Sequence, residues 1–523
     1  MIANVTFYWL FQKNDNWLAI FKTDDRITTA TDKESLEQAL SSVHYLVSYG
    51  NYQTSDKFLA KILSDGKSSF LQKYLSIDLS QEARNCTIEE IGFNLRMKIK
   101  AKTPEEFCLQ RIAICEAIFS EREEYLETKF EIVKEFQLKP RSIMKTRANL
   151  AAEILQAKKM PKRPNILLFE FDQYVPFNEL PERLVHFYQS IKDRYKNTLE
   201  EKLKQEKFKM TLANLTHTFG VGGVHAAKEK YRGEGCFLLI DVNQFFPSII
   251  QNNKLLSVGI KCPEIFDELY KKKVQTGKLA YKILINAING SMNNPYSALY
   301  DPQKFYSVTV NGQLIITHLI LVLESFFEEL IQTNTDGILI RINPVMENTI
   351  RDLLELWCRQ LHLQVSITKV NKVWQKDVNN YVLQKEDGQL VRKGIFAKPT
   401  YLSNSTPVIY NGIFEAVVNG IKPQNFIIDQ YKKESLEEFC FIGKIQGDFT
   451  GIEQQTINGY VKLNKTICGI AANSNKYGGV FQVRNDLHSR LPNSPSSFLT
   501  YEKATKKDID TKWYIEQIEK NCF

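Results

Sequence analysis

Short apolar runs separated by turn residues open the chain. Val5–Phe11 and Trp17–Phe21 are rich in β-branched and aromatic residues and flank Asn14, Asp15 and Asn16, which predicts two strands joined by a turn. A third run, Tyr45–Tyr49, stops at Gly50 and Asn51. From Glu105 to Phe136 the period becomes helical, with many charge pairs. Pro161–Pro164 is basic and reads as a loop, and Glu182–Met210 as a long polar helix with a solvated face. Cys236–Ile240 is a buried strand that ends at Asp241, after which an aromatic-proline turn bends the chain away. Ile331–Asp336 is a second strand-like run, continuing through Gly337 to Ile342. Between the two, Glu264–Ile285 reads as one helix, and a further helix is expected from Val308 to Leu330. Val373–Gly394 has a hairpin pattern with a turn at Glu386, Asp387 and Gly388. Near the C-terminus Ser435–Phe439 and Asp510–Lys520 are helical in period, and Phe481–Arg484 is strand-like.

The chemistry gathers around the two central strands. Each carries a carboxylate, Asp241 or Asp336, and Lys278, Lys282 and Asn286 recur at four-residue spacing, on one face of the helix between them. Two carboxylates and a basic helix face are what a two-Mg²⁺ phosphoryl-transfer site requires: the carboxylates hold the hard cations, and the lysines neutralise a triphosphate. The Lys271–Lys273 triplet reads as a solvated face. Phe219–His225 is glycine-rich just ahead of the first carboxylate, and Gly222 and Gly223 permit close backbone approach to phosphate; His225 reads as structural.

Composition changes this picture little. The 523 residues suffice for several domains, and 43% hydrophobic with 24% charged residues is ordinary for a globular chain. A net charge of +8 suits a nucleic-acid binder but is modest. The nine cysteines include no CxxC pair, so reduced thiols and no zinc site are expected. No leader pattern and no run of eighteen apolar residues is visible; the longest apolar stretch, Leu314–Leu323, is too short to span a bilayer, so a cytoplasmic protein is expected.

Three stretches, in order, resemble motifs A, B and C of family B DNA polymerases of the bacteriophage type. Motif A, D-x-x-S-L-Y-P-S-I-I, is matched by Asp241, then by Gln244, Phe245 and Phe246 in the S-L-Y places, then by Pro247–Ile250. Motif B, K-x-x-x-N-S-x-Y-G, is matched by Lys282, Asn286 and Gly290, with Asn289 in place of the tyrosine. Motif C, D-T-D-S, appears as Asn334, Thr335, Asp336 and Gly337. The resemblance implies an α+β right hand of palm, short fingers and thumb, preceded by an RNase H-like exonuclease-type α/β domain. The implied boundaries are residues 1–135 for a degenerate exonuclease-like domain, 136–235 for a connector and palm entry, 236–250 and 295–398 for the palm, 251–294 for the fingers and 399–523 for the thumb.

The implied function is template-directed addition of dNTPs to a DNA primer. Asp241, the Val242 carbonyl and Asp336 would hold two Mg²⁺ ions, with Mn²⁺ as an alternative, because Asn334 contributes no charge. Lys282 would meet the triphosphate and protonate the leaving pyrophosphate, with Lys278 as a second phosphate contact. Phe245, Phe246 and Asn286 would complete the nucleotide pocket, Phe246 excluding a 2′-hydroxyl. Gly222, Gly223, Tyr381 and Lys393 would touch DNA, with Asn379 where a K-x-Y element has lysine. Asp241 and Lys282 are 41 residues apart, too close for the insertion of protein-primed relatives, so processivity would be low or rest on a partner. The implied setting is the cytoplasm of a bacterial host.

The N-terminal unit departs from the exonuclease pattern. Tyr8 and Leu10 stand where D-x-E is needed, Asp56 is the only acid near the second motif, and Ile114 and Ile118 fall at the third. Such side chains cannot hold two metals, so loss of 3′–5′ proofreading is expected. Two other functions fit the same residues: template-independent nucleotidyl transfer or primer synthesis, which activity without template distinguishes, and a catalytically weak nucleic-acid-binding scaffold.

Overall fold

The computed structural model describes residues 5–52, 54–64, 74–83, 86–97, 101–160, 170–195, 200–402, 406–474, 476–485 and 487–523. The loop expected at 161–164 lies outside the described residues. The chain divides into two compact units, residues 1–144 with 395–523, and residues 145–394.

In the first unit β1 (Val5–Lys13), β2 (Asn16–Thr23) and β3 (Arg26–Ala30) form an antiparallel meander. β4 (Tyr45–Ser48) and β5 (Leu75–Asp78) extend it in parallel, giving the order β3-β2-β1-β4-β5. Period-two alternation sorts the side chains. Tyr8, Ala19 and Phe21 pack in one core with residues of α1 (Lys33–Leu40) and α2 (Ser55–Ser64). Leu18, Ile20 and Trp9 face the opposite way, onto Cys108 and Ile112 of α3 (Pro104–Glu121). The helical period expected from Glu105 to Phe136 is broken at Arg122, whose non-helical backbone separates α3 from α4 (Glu123–Glu135).

The C-terminal part of this unit combines helices, among them Pro407–Val418 and Pro423–Lys433, with sheet. It holds a three-stranded and a four-stranded antiparallel sheet, where the sequence pattern pointed to one strand at Phe481–Arg484. The other strands are three to six residues long, too short for a clear period. Ser435–Phe439 contributes only a 3₁₀ turn, Leu436–Phe439, whereas the last expected helix forms over Thr511–Glu519. Arg96 pairs with Glu438 at 2.9 Å, and Phe93 meets Tyr501 edge-on, tying this part to the N-terminal residues.

In the second unit the long polar helix ends early. α5 covers Glu182–Arg194, residues 196–199 lie outside the described set, and Phe208–Leu212 is a strand, β6. It pairs with β7 (Leu215–Phe219) across Ala213 and Asn214, both at positive φ (46° and 64°), as a tight hairpin requires. A seven-stranded, wholly antiparallel sheet follows, built from β8 (Ala226–Ala227), β9 (Tyr231–Val242), β10 (Glu329–Asn334), β11 (Gly337–Arg341), β12 (Val365–Asp377), β13 (Asn380–Lys385) and β14 (Leu390–Arg392). Its order is β14-β13-β12-β9-β11-β10-β8.

Four helices serve the site: α6 (Phe245–Asn253), α7 (Glu264–Thr276), α8 (Leu279–Met292) and α9 (Pro302–Leu323). The helix expected from Val308 to Leu330 therefore starts six residues sooner. Asp301 caps it by accepting from the Lys304 N–H, Pro302 fills the first turn, and it ends at Leu323. At 22 residues, with a mean hydropathy of 1.5 over its most apolar window, α9 is long and apolar enough to cross a membrane, unlike the shorter stretch read from the sequence. Yet 89% of its most apolar window is buried inside the fold. Its polar side chains have internal partners: Thr309 Oγ1 donates to the Val221 carbonyl at 3.0 Å, and Gln313 Nε2 to that of Gly220 at 2.8 Å.

Candidate active site

The centre of the site is a register match between β9 and β11. Asp241 sits opposite Gly337, and the Val242 N–H donates to the Asp336 carbonyl at 2.7 Å. The run read as a continuous strand is a hairpin, with Thr335 and Asp336 as its two turn residues between β10 and β11. The turn lifts Asp336 out of the ladder beside Asp241. Gly337 makes the approach feasible, because a Cβ there would strike the Ile240 carbonyl and come within 2.7 Å of Asp241 Oδ1. Burial pushes the Asp241 carboxyl up to about 6, the Asp336 charge adds to the shift, and Lys393 opposes it.

An open cleft of about 540 Å³ adjoins this pair. Its lining includes Val242, Phe246, Lys273, Lys282, Asn286 and Asp336. Phe245 also lines it, lying buried and stacked against Phe246 with ring centroids 5.6 Å apart. Beneath them is Gly312 of α9, where a Cβ would sit 3.1–3.2 Å from both rings.

The lysines differ from expectation. The helix read from Glu264 to Ile285 is two helices, α7 and α8, because Gly277 adopts φ +66° and Lys278 an extended ψ of 136°. Lys278 is therefore the residue that precedes α8, not a member of the Lys282 face, and it is not part of the cleft lining. Lys273, read as one of a solvated triplet, lines the cleft with Lys282. Burial, then the neighbouring Lys282 charge, holds the Lys273 ammonium below its ordinary range. The sequence signal that could have found it is Gly277, which breaks the helical phase.

The glycine loop packs against the same turn. A Cβ on Gly223 would collide with Thr335, whereas Gly222 faces open space. His225 Nε2 lies 3.4 Å from Thr335 Oγ1 and also hydrogen-bonds Asn334. On β13, Tyr381 hydrogen-bonds the Asn334 and Gln332 side chains, and burial with the Asp241 charge raises its phenol. Lys393 donates its backbone N–H to the Tyr381 carbonyl at 2.9 Å. Asn334 is thus engaged by Tyr381 and His225.

Among the described residues no three His, Cys, Asp or Glu side chains gather as a metal-binding group. The donors at hand are two carboxylates with nearby carbonyl and amide oxygens, a hard set that suits Mg²⁺ when substrate phosphates and water supply the remaining ligands.

The acids of the first unit are arranged otherwise. Asp56 is fully buried and accepts from the Tyr8 hydroxyl, from Ser76 Oγ at 2.8 Å and from Asn51 Nδ2 at 3.2 Å. Asp78 accepts from the Gly50 N–H at 2.7 Å and the Ser80 N–H at 2.9 Å. Ile114 and Ile118 are core residues of α3.

No protein-family model matches the chain, and no curated protein matches it in sequence. Among solved structures 168 chains match. One is the family B DNA polymerase from the hyperthermophilic archaeon Pyrobaculum calidifontis, at TM-score 0.50 and 10% identity, over 99% of this chain and 77% of that one. At that identity the likeness is one of architecture: the chain has a family B DNA polymerase fold.

Proposed function

We propose that the protein is a template-directed DNA polymerase that adds dNTPs to a primer 3′ end by two-metal phosphoryl transfer, without 3′–5′ proofreading. The observation that carries this reading is Asp241 beside Asp336 at a cleft whose lining includes two lysines. In this reading the sheet and α9 serve as palm, α7 and α8 as short fingers, and the C-terminal residues as thumb. The five-stranded sheet, three strands antiparallel and two parallel, serves as a silent exonuclease-like domain.

Asp241, Asp336 and the Val242 carbonyl would hold two Mg²⁺ ions, which when bound neutralise phosphate charge and acidify the primer hydroxyl. Lys273 and Lys282 draw the triphosphate to the far wall, and Lys282 gives a proton to the departing pyrophosphate. Phe246 lies under the sugar, where a flat ring leaves no room for a 2′-hydroxyl. Tyr381, Lys393 and the Gly222 backbone take the primer-template. Asp56 is fully buried and already accepts from three protein donors, which leaves it poorly placed to take a nuclease metal.

Primer extension with Mg²⁺ or Mn²⁺, run with and without template beside Asp336→Asn, tests the reading. Extension that needs template and is lost in the variant supports it. Extension without template would favour a terminal transferase, and equal activity in both proteins would remove Asp336 from the chemistry. Degradation of a labelled single strand from its 3′ end would overturn the absence of proofreading.

A further inference from the structure

Asp336 is exposed, and among the described residues its carboxylate accepts no hydrogen bond, so the backbone of a two-residue turn sets its aim. The residue before that turn is held from elsewhere in the sheet. Asn334 ends β10, opposite Gly337, and its amide is reached by two rings. One is His225, which directly precedes β8, the strand that pairs with β10 through Ala226 and Thr333. It hydrogen-bonds Asn334, and its Nε2 lies 3.4 Å from Thr335 Oγ1. The other is Tyr381 of β13, four places from β10 in the sheet order. At about 4.8 Å per strand, a flat sheet would keep those two strands about 19 Å apart. The sheet is instead rolled. Gln332 Nε2 donates to the Val378 carbonyl at 3.0 Å, and Gln375 Nε2 to those of Lys228 and Ile331 at 2.8 and 3.2 Å. Phe237, Ile331, Leu339, Val373 and Leu383, one from each of the five strands from β10 to β13, share one core. Tyr381 packs against that core, hydrogen-bonds Asn334 and lines one small cavity with it.

Resting on the polymerase reading, we propose that Asn334 and Tyr381 are positioning residues for the second metal ligand. The roll of the sheet carries the Tyr381 hydroxyl to the Asn334 amide, and the amide fixes the turn that holds Asp336 beside Asp241. Asn334 then needs no charge, because it orients a ligand and is not one. An amide also suits this place better than a third carboxylate, since each added negative charge makes the others harder to ionise. Outer groups that orient a metal ligand contribute about ten- to a hundred-fold to metal affinity.

The test is Mn²⁺ binding to the full chain, followed by the electron paramagnetic resonance of the free ion, for wild type, Tyr381→Phe, Asn334→Ala and the double variant. Each single change should weaken binding about ten-fold, and the double variant should bind no more weakly than Asn334→Ala, because the hydroxyl acts through the amide. A partly unfolded preparation lowers the number of sites and leaves the affinity of the remaining ones in place, so loss of folding cannot imitate this result. Unchanged affinity in Tyr381→Phe, or losses that add in the double variant, overturn the proposal. Either result leaves the polymerase reading standing when wild type extends a primer on template. Failure of wild type to bind Mn²⁺ overturns both the proposal and the reading of the carboxylate pair.

Discussion

Asp241 and Asp336 adjoin an open cleft lined by lysines, whereas Asp56 lies at zero exposure, with both carboxylate oxygens taken by Tyr8, Asn51 and Ser76. Burial raises the carboxyl of Asp56 as well as that of Asp241. The two regions differ in what answers the buried charge. Around Asp56 the protein supplies hydrogen-bond donors from its own core. Beside Asp241 it supplies a second carboxylate, which worsens the electrostatics and leaves a deficit that a cation can meet. A shifted carboxylate therefore marks a ligand site only when its surroundings leave it unsatisfied.

The sharpest way to break this comparison is to remove the open pair. Asp336→Asn or Asp241→Asn should lower template-directed extension by about a thousand-fold, on the several kcal/mol that metal-held charge contributes to the transition state; activity within ten-fold of wild type would defeat the reading. Gly337→Ala should cost about a hundred-fold in kcat, because the new methyl displaces Asp241 without changing any charge. On the sealed side, Tyr8→Phe should leave extension within about two-fold while lowering unfolding free energy by about 1–3 kcal/mol in urea melts, since Asp56 loses a donor.

Smaller effects sharpen the contrast. Mn²⁺ should raise the thermal midpoint of wild type by binding the folded state, an increase lost in Asp241→Asn and kept in Asp56→Asn; the reverse pattern would place the metal in the first unit. Without metal, pH should report on the open pair too. The folded Asp241 carboxyl is raised from 3.8 to about 6, so the unfolded chain ionises first. Stability therefore falls as pH climbs through that window and is level above it. Asp241→Asn should make this decline shallower in urea melts between pH 4 and 6, while the raised Asp56 carboxyl keeps contributing in the same direction.

Much of the candidate site was legible in residue order, for local reasons. An apolar run ending in Asp241, a second apolar run carrying Asp336 and a helical face carrying Lys282 and Asn286 follow from short-range period, whereas the hairpin turn at Thr335 and Asp336 was read as continuous strand. The N-terminal hairpin was readable in the same way. What tertiary structure decided is which side chains meet. One left-handed residue, Gly277, rephased the helix, so that Lys273 reached the cleft and Lys278 did not. The seal over Asp56 joins side chains of β1, α2 and β5, and the Asn334 contacts bring in β13 and the glycine loop. The short C-terminal strands lacked a period; two tight hairpins form among them, and the remaining pairings join strands farther apart in the chain. Periodicity reports only that one face of an element will be buried; which groups lie opposite is set by register and chain crossings, which sum over the whole fold.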